Sequence, residues 1–333
     1  MSEQRQDDGP SSAFVTGGSG FVGGALIRRL VEEGWRVRAL ARSQGSADKV
    51  AALGAEPATG DLEDAGAMTR AAEGCEVAFH AAVHLGEWGP RAEFERINVG
   101  GTRNVISACR GAGVRRLVHV GTEAALMAGE PLVDVDEDAP LRPDSPVPYC
   151  STKALAEQAV RDAADGGLET VVVRPRLIWG PGDTTILPSL VEAVRSGRFR
   201  WIGGGRHRTS TTHVANVVEG LLLGAQRGAS GAAYFVTDGE PVVFRDFVKS
   251  LVGTQGVEVP DKELPAGIAR AAAAAAEGLW KGLRLSGAPP ITRIALWLSS
   301  QECTIDISRA RAQLGYQPRV TVAGGIEELA AAA

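Results

Sequence analysis

The sequence predicts an α/β fold, a doubly wound parallel sheet with a smaller C-terminal lobe, and three observations predict it. Short apolar runs alternate with helix-patterned stretches from Ala13 to about Pro175. The first run, Ala13-Phe14-Val15-Thr16, passes through a glycine turn, Gly17-Gly18-Ser19-Gly20-Phe21-Val22-Gly23, into a helical pattern. Beyond Pro175 the alternation stops, and Gly180-Pro181-Gly182, Gly203-Gly204-Gly205 and Pro289-Pro290 punctuate shorter elements. Strands that alternate with helices join through right-handed crossovers, which builds a parallel sheet with helices on both faces.

Taken in order, residues 1–11 are polar, contain Gly9-Pro10 and read as a flexible tail. Strands are expected at 13–16, 36–41, 56–59, 77–80, 117–121 and 170–174, with helices starting near Gly20, Ser46, Glu63, Glu93 and Tyr149. These elements make residues 12–175 a Rossmann-type dinucleotide-binding domain. A later apolar run near 232–236 is expected to return to its sheet. Residues 176–231 and 238–333 are left for a substrate-binding lobe over the carboxyl ends of the strands, where open α/β sheets bind ligands.

At 333 residues the chain can bury a large core, and a hydrophobic content of 44% fits an ordinary globule. A net charge of −5 argues against nucleic acid or an anionic membrane as the main partner. No stretch reads as a signal peptide or a membrane span, since the alanine run 271–276 is short and Glu277 follows it. Cys75, Cys109, Cys150 and Cys303 show neither close pairing nor metal spacing, so a cytoplasmic location and no bound metal are expected.

The glycine turn carries the first chemistry. A strand, a sharp turn and a helix start let the backbone approach a pyrophosphate, which the helix N–H groups and dipole then hold. Gly17, Ser19, Gly20, Phe21, Val22 and Gly23 are the candidate cradle. At the end of the second strand an NAD site wants an acidic residue for the ribose hydroxyls. This chain has Ala41, Arg42 and Ser43 there. A guanidinium beside a hydroxyl suits a 2′-phosphate, so NADPH is expected over NADH. The plain alternative is an ordinary solvated arginine at a strand end.

The second cluster is Tyr149 and Lys153, one helical turn apart and on one face. A lysine ammonium beside a phenol favours phenolate and equips tyrosine for acid–base work on a ketone or alcohol oxygen. Taken alone, the pair also fits a surface helix. Thr122, at the carboxyl end of the fifth strand, offers a hydroxyl to the same oxygen, or merely caps a turn.

Together with Gly60-Asp61-Leu62, His80-Ala81-Ala82, Asn98-Val99-x-Gly101-Thr102-x-Asn104 and Arg174-Pro175, these motifs resemble the extended short-chain dehydrogenase/reductases over nearly the whole chain. The resemblance implies that Asp61 and Leu62 lie beside the adenine and that His80, Ala81 and Ala82 line the cofactor. It also implies that Asn98 supports a proton relay to Lys153, and that backbone from Pro175 to Leu177 meets the nicotinamide amide. The strand end Val37-Arg38-Ala39-x-x-Arg42 resembles the NADPH-using flavonoid reductases. The segments 174–183 and 304–311, with Leu314-Gly-Tyr-x-Pro318, resemble the 3β-hydroxysteroid dehydrogenase branch. The sequence departs from the pattern at Gly121, Thr122 and Ala215.

The reaction expected from this resemblance is reduction of a bulky, apolar ring ketone. His84, Leu85, Trp88, Glu123, Trp179 and Arg208 are the candidate substrate contacts, and the apolar region 279–298 is a candidate lid. Its tryptophans equally suit the core of the small lobe. Alternatives are a sugar-nucleotide epimerase or dehydratase, with Arg206 and Arg208 meeting a second pyrophosphate, and a non-catalytic NADPH sensor. The resemblance also implies a homodimer built on the helices near Glu93 and Tyr149, where Ala154, Ala156, Ala159, Ala163 and Ala164 permit close approach.

Overall fold

A seven-stranded parallel sheet organises the chain in the computed structural model, which describes residues 11–283 and 285–332. The expected tail lies largely outside the described residues. In chain order the first half runs β1 (Ser12–Thr16), α1 (Phe21–Glu32), β2 (Arg36–Ala41), α2 (Gln44–Ala52), β3 (Glu56–Thr59), α3 (Ala65–Ala72) and β4 (Val77–His80). Next come α4 (Arg91–Phe94), a π-helical segment (Glu95–Gly100) that continues into α5 (Gly101–Ala112), β5 (Arg116–Val120), β6 (Leu132–Val135), α6 (Pro148–Asp162) and β7 (Glu169–Arg174). The second half holds β8 (Ile178–Trp179), α7 (Ile186–Arg195), β9 (Trp201–Ile202), β10 (Arg208–Thr209), β11 (Thr212–His213), α8 (Val214–Arg227) and β12 (Ala232–Phe235). It ends with β13 (Val242–Val243), α9 (Phe244–Gly253), β14 (Glu263–Leu264), α10 (Ala266–Leu283), α11 (Arg293–Ser300), β15 (Cys303–Ile305), α12 (Ser308–Leu314) and α13 (Val322–Ala331).

The main sheet has the order β12-β7-β5-β4-β1-β2-β3, so the strand sequence reverses between β1 and β4. That reversal opens a crevice at the carboxyl ends of the strands. The apolar runs fold as strands because both sheet faces are covered, which favours continuous hydrophobic sequence over alternation. Ala13, Val15, Phe79, Val118, Val171 and Val173 face one core with α1 and α8, while Phe14, Ala78, Leu117 and Val172 face another with α3, α5 and α6. β12 pairs in parallel with β7, from Ala232 opposite Val171 to Phe235 opposite Arg174, so the returning strand closes this edge.

The smaller lobe has its own core of Trp179, Leu187, Trp201, Phe244, Phe247, Val248 and Leu251. A four-stranded sheet, β13-β10-β15-β6, runs through it. Strands this short carry no readable period, and none of the four was expected from the sequence.

The helices expected to pair in a homodimer are α5 and α6. Ala154, Ala156 and Ala163 are buried within the chain itself. The outward side of α5 presents Arg103, Ser107 and Arg110.

Three secondary elements meet through one buried imidazole. Thr102 Oγ1 lies 2.6 Å from the Asn98 carbonyl oxygen and must donate its single proton there. His80 Nε2, 3.0 Å from Thr102 Oγ1, is therefore the protonated nitrogen, and Nδ1 accepts from Thr16 Oγ1 at 2.7 Å. Burial and the nearby Lys153 push the His80 pKa down to about 3. His119, also buried, is held well below its ordinary range for the same two reasons, with His80 adding to them. Stability is then fully present above the ordinary value of 6.5 and is lost as pH falls toward about 3, because only the unfolded chain takes up the protons. We expect the unfolding free energy to fall by ~2 kcal/mol for each histidine between pH 7.5 and pH 5. Urea unfolding at the two pH values measures this, and an unchanged midpoint would contradict neutral buried imidazoles.

Candidate active site

The glycine turn closes through the Gly20 N–H, which donates to the Gly17 carbonyl at 3.0 Å. Gly17 has φ +75°, and a Cβ there would stand 2.5 Å from the Ala82 nitrogen. Gly23 lets α1 press onto the turn, since a Cβ there would stand 2.2 Å from the Gly17 oxygen. The N-cap, Gly20, supplies no side-chain acceptor, so the first N–H groups of α1 are available to an anion. Phe21 and Val22 are half-buried behind the turn, and Ser19 is exposed on it. Ala81 and Ala82 form the opposite wall after β4, while His80 lies beneath it in the network above.

Arg42 is exposed at the end of β2, and no carboxylate among the described residues pairs with it. Ser43 has a different task from the one expected. Its hydroxyl and backbone N–H form a capping box with Ser46 that starts α2. Asp61 is exposed and accepts from the Glu63 N–H at 3.1 Å, and Leu62 packs on Gly101. Glycines that a Cβ would overfill and a helix start without a side-chain cap together fit a nicotinamide dinucleotide.

Tyr149, Lys153 and Glu157 form one stripe of α6. The Lys153 ammonium donates to the Val120 carbonyl at 2.8 Å and faces His119 Nε2 at 3.3 Å. Burial pulls its pKa down to about 8 against the opposing pull of Glu157. Tyr149 is half-buried at the start of the helix. The expected lowering of the phenol pKa is not found. Burial and the Glu123 carboxylate hold it above its ordinary range, while Thr122 offsets them in part. Asn98 Nδ2 donates to Thr152 Oγ1 at 3.2 Å, and its Oδ1 accepts the His84 N–H at 2.7 Å. The π-helical segment carries Asn98, in keeping with the frequent use of such irregular turns at functional sites.

Two buried arginines frame these groups. Arg174 Nε contacts both Glu157 oxygens, at 3.1 and 3.0 Å, and lies over the Phe235 ring. Arg176 Nη1 donates to Glu123 Oε1 at 2.6 Å. The next residue, Leu177, has φ +41°, a left-handed conformation costly for a bulky side chain. Thr212 fixes that bend, accepting the Arg176 N–H at 3.0 Å through its hydroxyl.

The substrate candidates divide. Leu85 is 61% exposed and Trp88 is half-buried on the loop after β4, while His84 stacks edge-on against Phe94. Trp179 is not a substrate contact: it is fully buried, donates to Asp238 Oδ2 at 2.8 Å and packs against Phe247. Arg208 is exposed, whereas its neighbour Thr209 is buried against Arg176. Strand alternation turns Arg208 away from that contact. Glu123 is buried rather than presented to a ligand. In the expected lid, Ile294 and Trp297 of α11 reach Tyr149, joined by Ala124, Met127, Val147 and Cys150. Leu279, Leu283 and Leu285 stand in solvent instead.

Residues 14–266 match the model of the 3-beta hydroxysteroid dehydrogenase/isomerase family. The chain belongs to that family. It is accordingly an oxidoreductase of hydroxyl and keto groups, on an extended short-chain dehydrogenase/reductase fold. It is 48% identical to a 4-hydroxy-2-methyl-3-oxo-4-farnesyl-3,4-dihydroquinoline-1-oxide ketoreductase of Stigmatella aurantiaca, over 95% of each chain. It is 40% identical to a 2-alkyl-3-oxoalkanoate reductase of Stenotrophomonas maltophilia, covering 96% of this chain and 98% of the other. Among solved structures, gox2253 superposes with a TM-score of 0.78 at 30% identity, covering 96% of this chain and 97% of that one. The dTDP-glucose 4,6-dehydratase DesIV of Streptomyces venezuelae, at 21% identity and a TM-score of 0.74 over 96% of this chain and 95% of its own, shares the fold.

Sequence reading missed Arg176, Glu157, Thr209, Thr152 and His119. The one signal available was the pair Arg174-Pro-Arg176 directly after an apolar strand, where two charges must find buried partners.

The cradle makes a sharp prediction. Gly23→Ala is expected to weaken NADPH binding at least tenfold and to cost ~1–3 kcal/mol of stability through overpacking. Gly24→Ala, whose Cβ would find ordinary contacts at 3.5 Å, is expected to leave both unchanged. Fluorescence titration with NADPH and thermal melting distinguish the two variants.

Proposed function

We propose that the chain is an NADPH-dependent ketoreductase that reduces the carbonyl of a bulky, largely apolar ring compound. The observation that carries this reading is the apolar cover of Ile294, Trp297, Met127 and Val147 around Tyr149, with Lys153 one turn away. The reductase relatives support it, one by its farnesyl quinoline substrate and another by its alkyl oxoalkanoate. Gly17, Gly20 and Gly23 would hold the pyrophosphate, Arg42 the 2′-phosphate, Asp61 and Leu62 the adenine, and Pro175 to Leu177 the nicotinamide edge. When bound, NADPH supplies the hydride.

Tyr149 donates its proton to the substrate oxygen. A phenol held above its ordinary pKa carries that proton at neutral pH, which is the form ketone reduction requires. Lys153 holds the ribose and presents positive charge beneath the phenol. Asn98, through Thr152 and the His84 backbone, fixes α6 against the loop after β4. Thr122, the candidate partner of the substrate oxygen, gives its proton to Glu123 Oε2 at 2.8 Å in the protein alone. His84, Leu85 and Trp88 lie on the loop best placed to meet the substrate.

The sugar-nucleotide reading has less behind it. Both Glu123 oxygens are engaged by protein groups, and Arg206 and Arg208 are exposed. All the proposed groups come from one chain, so a homodimer is not needed to complete the site. Four unpaired, buried cysteines support a reducing, cytoplasmic setting, and among the described residues no helix is long and apolar enough to cross a membrane.

The decisive assay follows NADPH oxidation with 2-decalone and polycyclic ketones, with UDP- and dTDP-sugars in parallel. Ketone-dependent oxidation is expected, and conversion of a nucleotide sugar without NADPH loss would replace this reading. Tyr149→Phe is expected to lower kcat by ~10²–10⁴-fold. Arg42→Ala is expected to weaken NADPH ~10–100-fold and leave NADH unchanged, as titration of each cofactor would show.

A further inference from the structure

The two walls around the start of α6 come from distant parts of the chain, and one hydrogen bond joins them. One wall is α11, whose Ile294 and Trp297 pack in a single cluster with Val147, Tyr149 and Cys150. The other is the loop after β4. Its His84 donates the backbone N–H to Asn98 Oδ1 at 2.7 Å, and Asn98 Nδ2 reaches Thr152 of α6 at 3.2 Å. Phe94 supports the loop from below, so close to Gly86 and Gly89 that a Cβ on either would stand 3.2 Å from its ring.

At its far end the loop meets α11. Thr292 is the N-cap of that helix, is 2% exposed, and accepts the Ala295 N–H at 3.2 Å through its hydroxyl oxygen. A carboxylate only accepts, so the single Thr292 proton goes to Glu87 Oε2 at 2.8 Å. The contacts thereby close a circuit that runs from α6 through α11, Glu87, the loop and Asn98 back to α6.

The members of this circuit are unequal. Asn98, Thr292, Ile294 and Trp297 are buried, whereas Glu87 is exposed, with the solvent-facing Leu85 on the same loop. The start of α11 also has an anchor of its own. Glu277 of α10 accepts the Arg293 N–H at 2.9 Å and meets the Arg293 guanidinium at 3.0 Å. Beyond the other end of the helix, Gln301 Nε2 donates to the Gly129 carbonyl at 2.7 Å. The Glu87–Thr292 bond can therefore part without unfolding either element that it joins.

We propose that this hydrogen bond is a specificity-determining latch. It sets the width of the opening between the loop after β4 and α11, and so decides which ring compounds reach Tyr149. This rests on the ketoreductase reading above. Glu87 and Thr292 act on the opening and take no part in hydride or proton transfer.

Two probes of different size test the latch, 2-decalone and the tetracyclic 5α-androstan-3-one, each reduced with NADPH. Glu87→Ala is expected to raise kcat/KM for the tetracyclic ketone relative to 2-decalone about fivefold, with Kd for NADPH within about twofold. Glu87→Gln keeps an oxygen that accepts the Thr292 proton, and is expected to keep the original ratio. In a Thr292→Val background, which has no proton to give, Glu87→Ala should change the ratio no further. Hydrogen–deuterium exchange of the enzyme without ligands reads the same tie. The α11 amides should exchange faster in Glu87→Ala and at the original rate in Glu87→Gln. An unchanged ratio or unchanged exchange in Glu87→Ala overturns the proposal, as does an equal effect of Glu87→Gln or an added effect in the Thr292→Val background. If the unsubstituted enzyme reduces neither ketone, the ketoreductase reading falls and the latch with it. A working reductase whose ratio ignores Glu87 removes the latch alone.

Discussion

Everything in this site depends on the burial of two guanidinium groups at the carboxyl end of β7. Arg174 reaches Glu157 and so anchors α6, the helix that carries Tyr149 and Lys153. Arg176 reaches Glu123 and so anchors the turn after β5, where Thr122 sits. The first pair joins successive elements and the second joins residues 53 apart, and each is essentially inaccessible to water. Removing one partner leaves an uncompensated charge in a low-dielectric interior, a far larger penalty than the pair's net contribution. The candidate catalytic groups are thus located less by apolar packing, which tolerates small slippage, than by two directional bonds that do not.

Around these anchors lies a set of neutral groups whose protons are assigned one by one. Thr102 gives its proton to the Asn98 carbonyl, which fixes the His80 tautomer, which in turn makes Thr16 a donor. Lys153 faces His119 on one side and the Val120 carbonyl on the other. A site in which most hydrogen-bond senses are forced is preorganised, and preorganised dipoles do not have to reorient during the reaction.

Much of this was legible in the sequence, and the rest was hidden for identifiable reasons. β2, β3 and β4 have the bounds read from the sequence, and β12 (Ala232–Phe235) returns to the sheet within the run 232–236 expected to do so. Tyr149 and Lys153 share a helix face because spacing alone dictates it. Pairings between different elements left no local trace: Arg174 with Glu157, Arg176 with Glu123, Lys153 with His119. Composition also misled. Trp179 read as a ligand contact because tryptophans serve pockets and cores alike, and only Asp238 and Phe247 decide between them. Ser43 read as a phosphate ligand where a serine ahead of a helix is equally a cap.

The placement of β12 bears on how such a chain is made. β7 ends at Arg174, and the strand that covers its outer edge begins at Ala232, after the first part of the small lobe has been synthesised. Ribosomes add about 5–20 residues per second, so Val171, Val172 and Val173 stand at an open edge for several seconds at least. An apolar edge of this kind templates pairing with other chains. The nascent protein is therefore more vulnerable to aggregation while its N-terminal half waits for the strand that closes this edge.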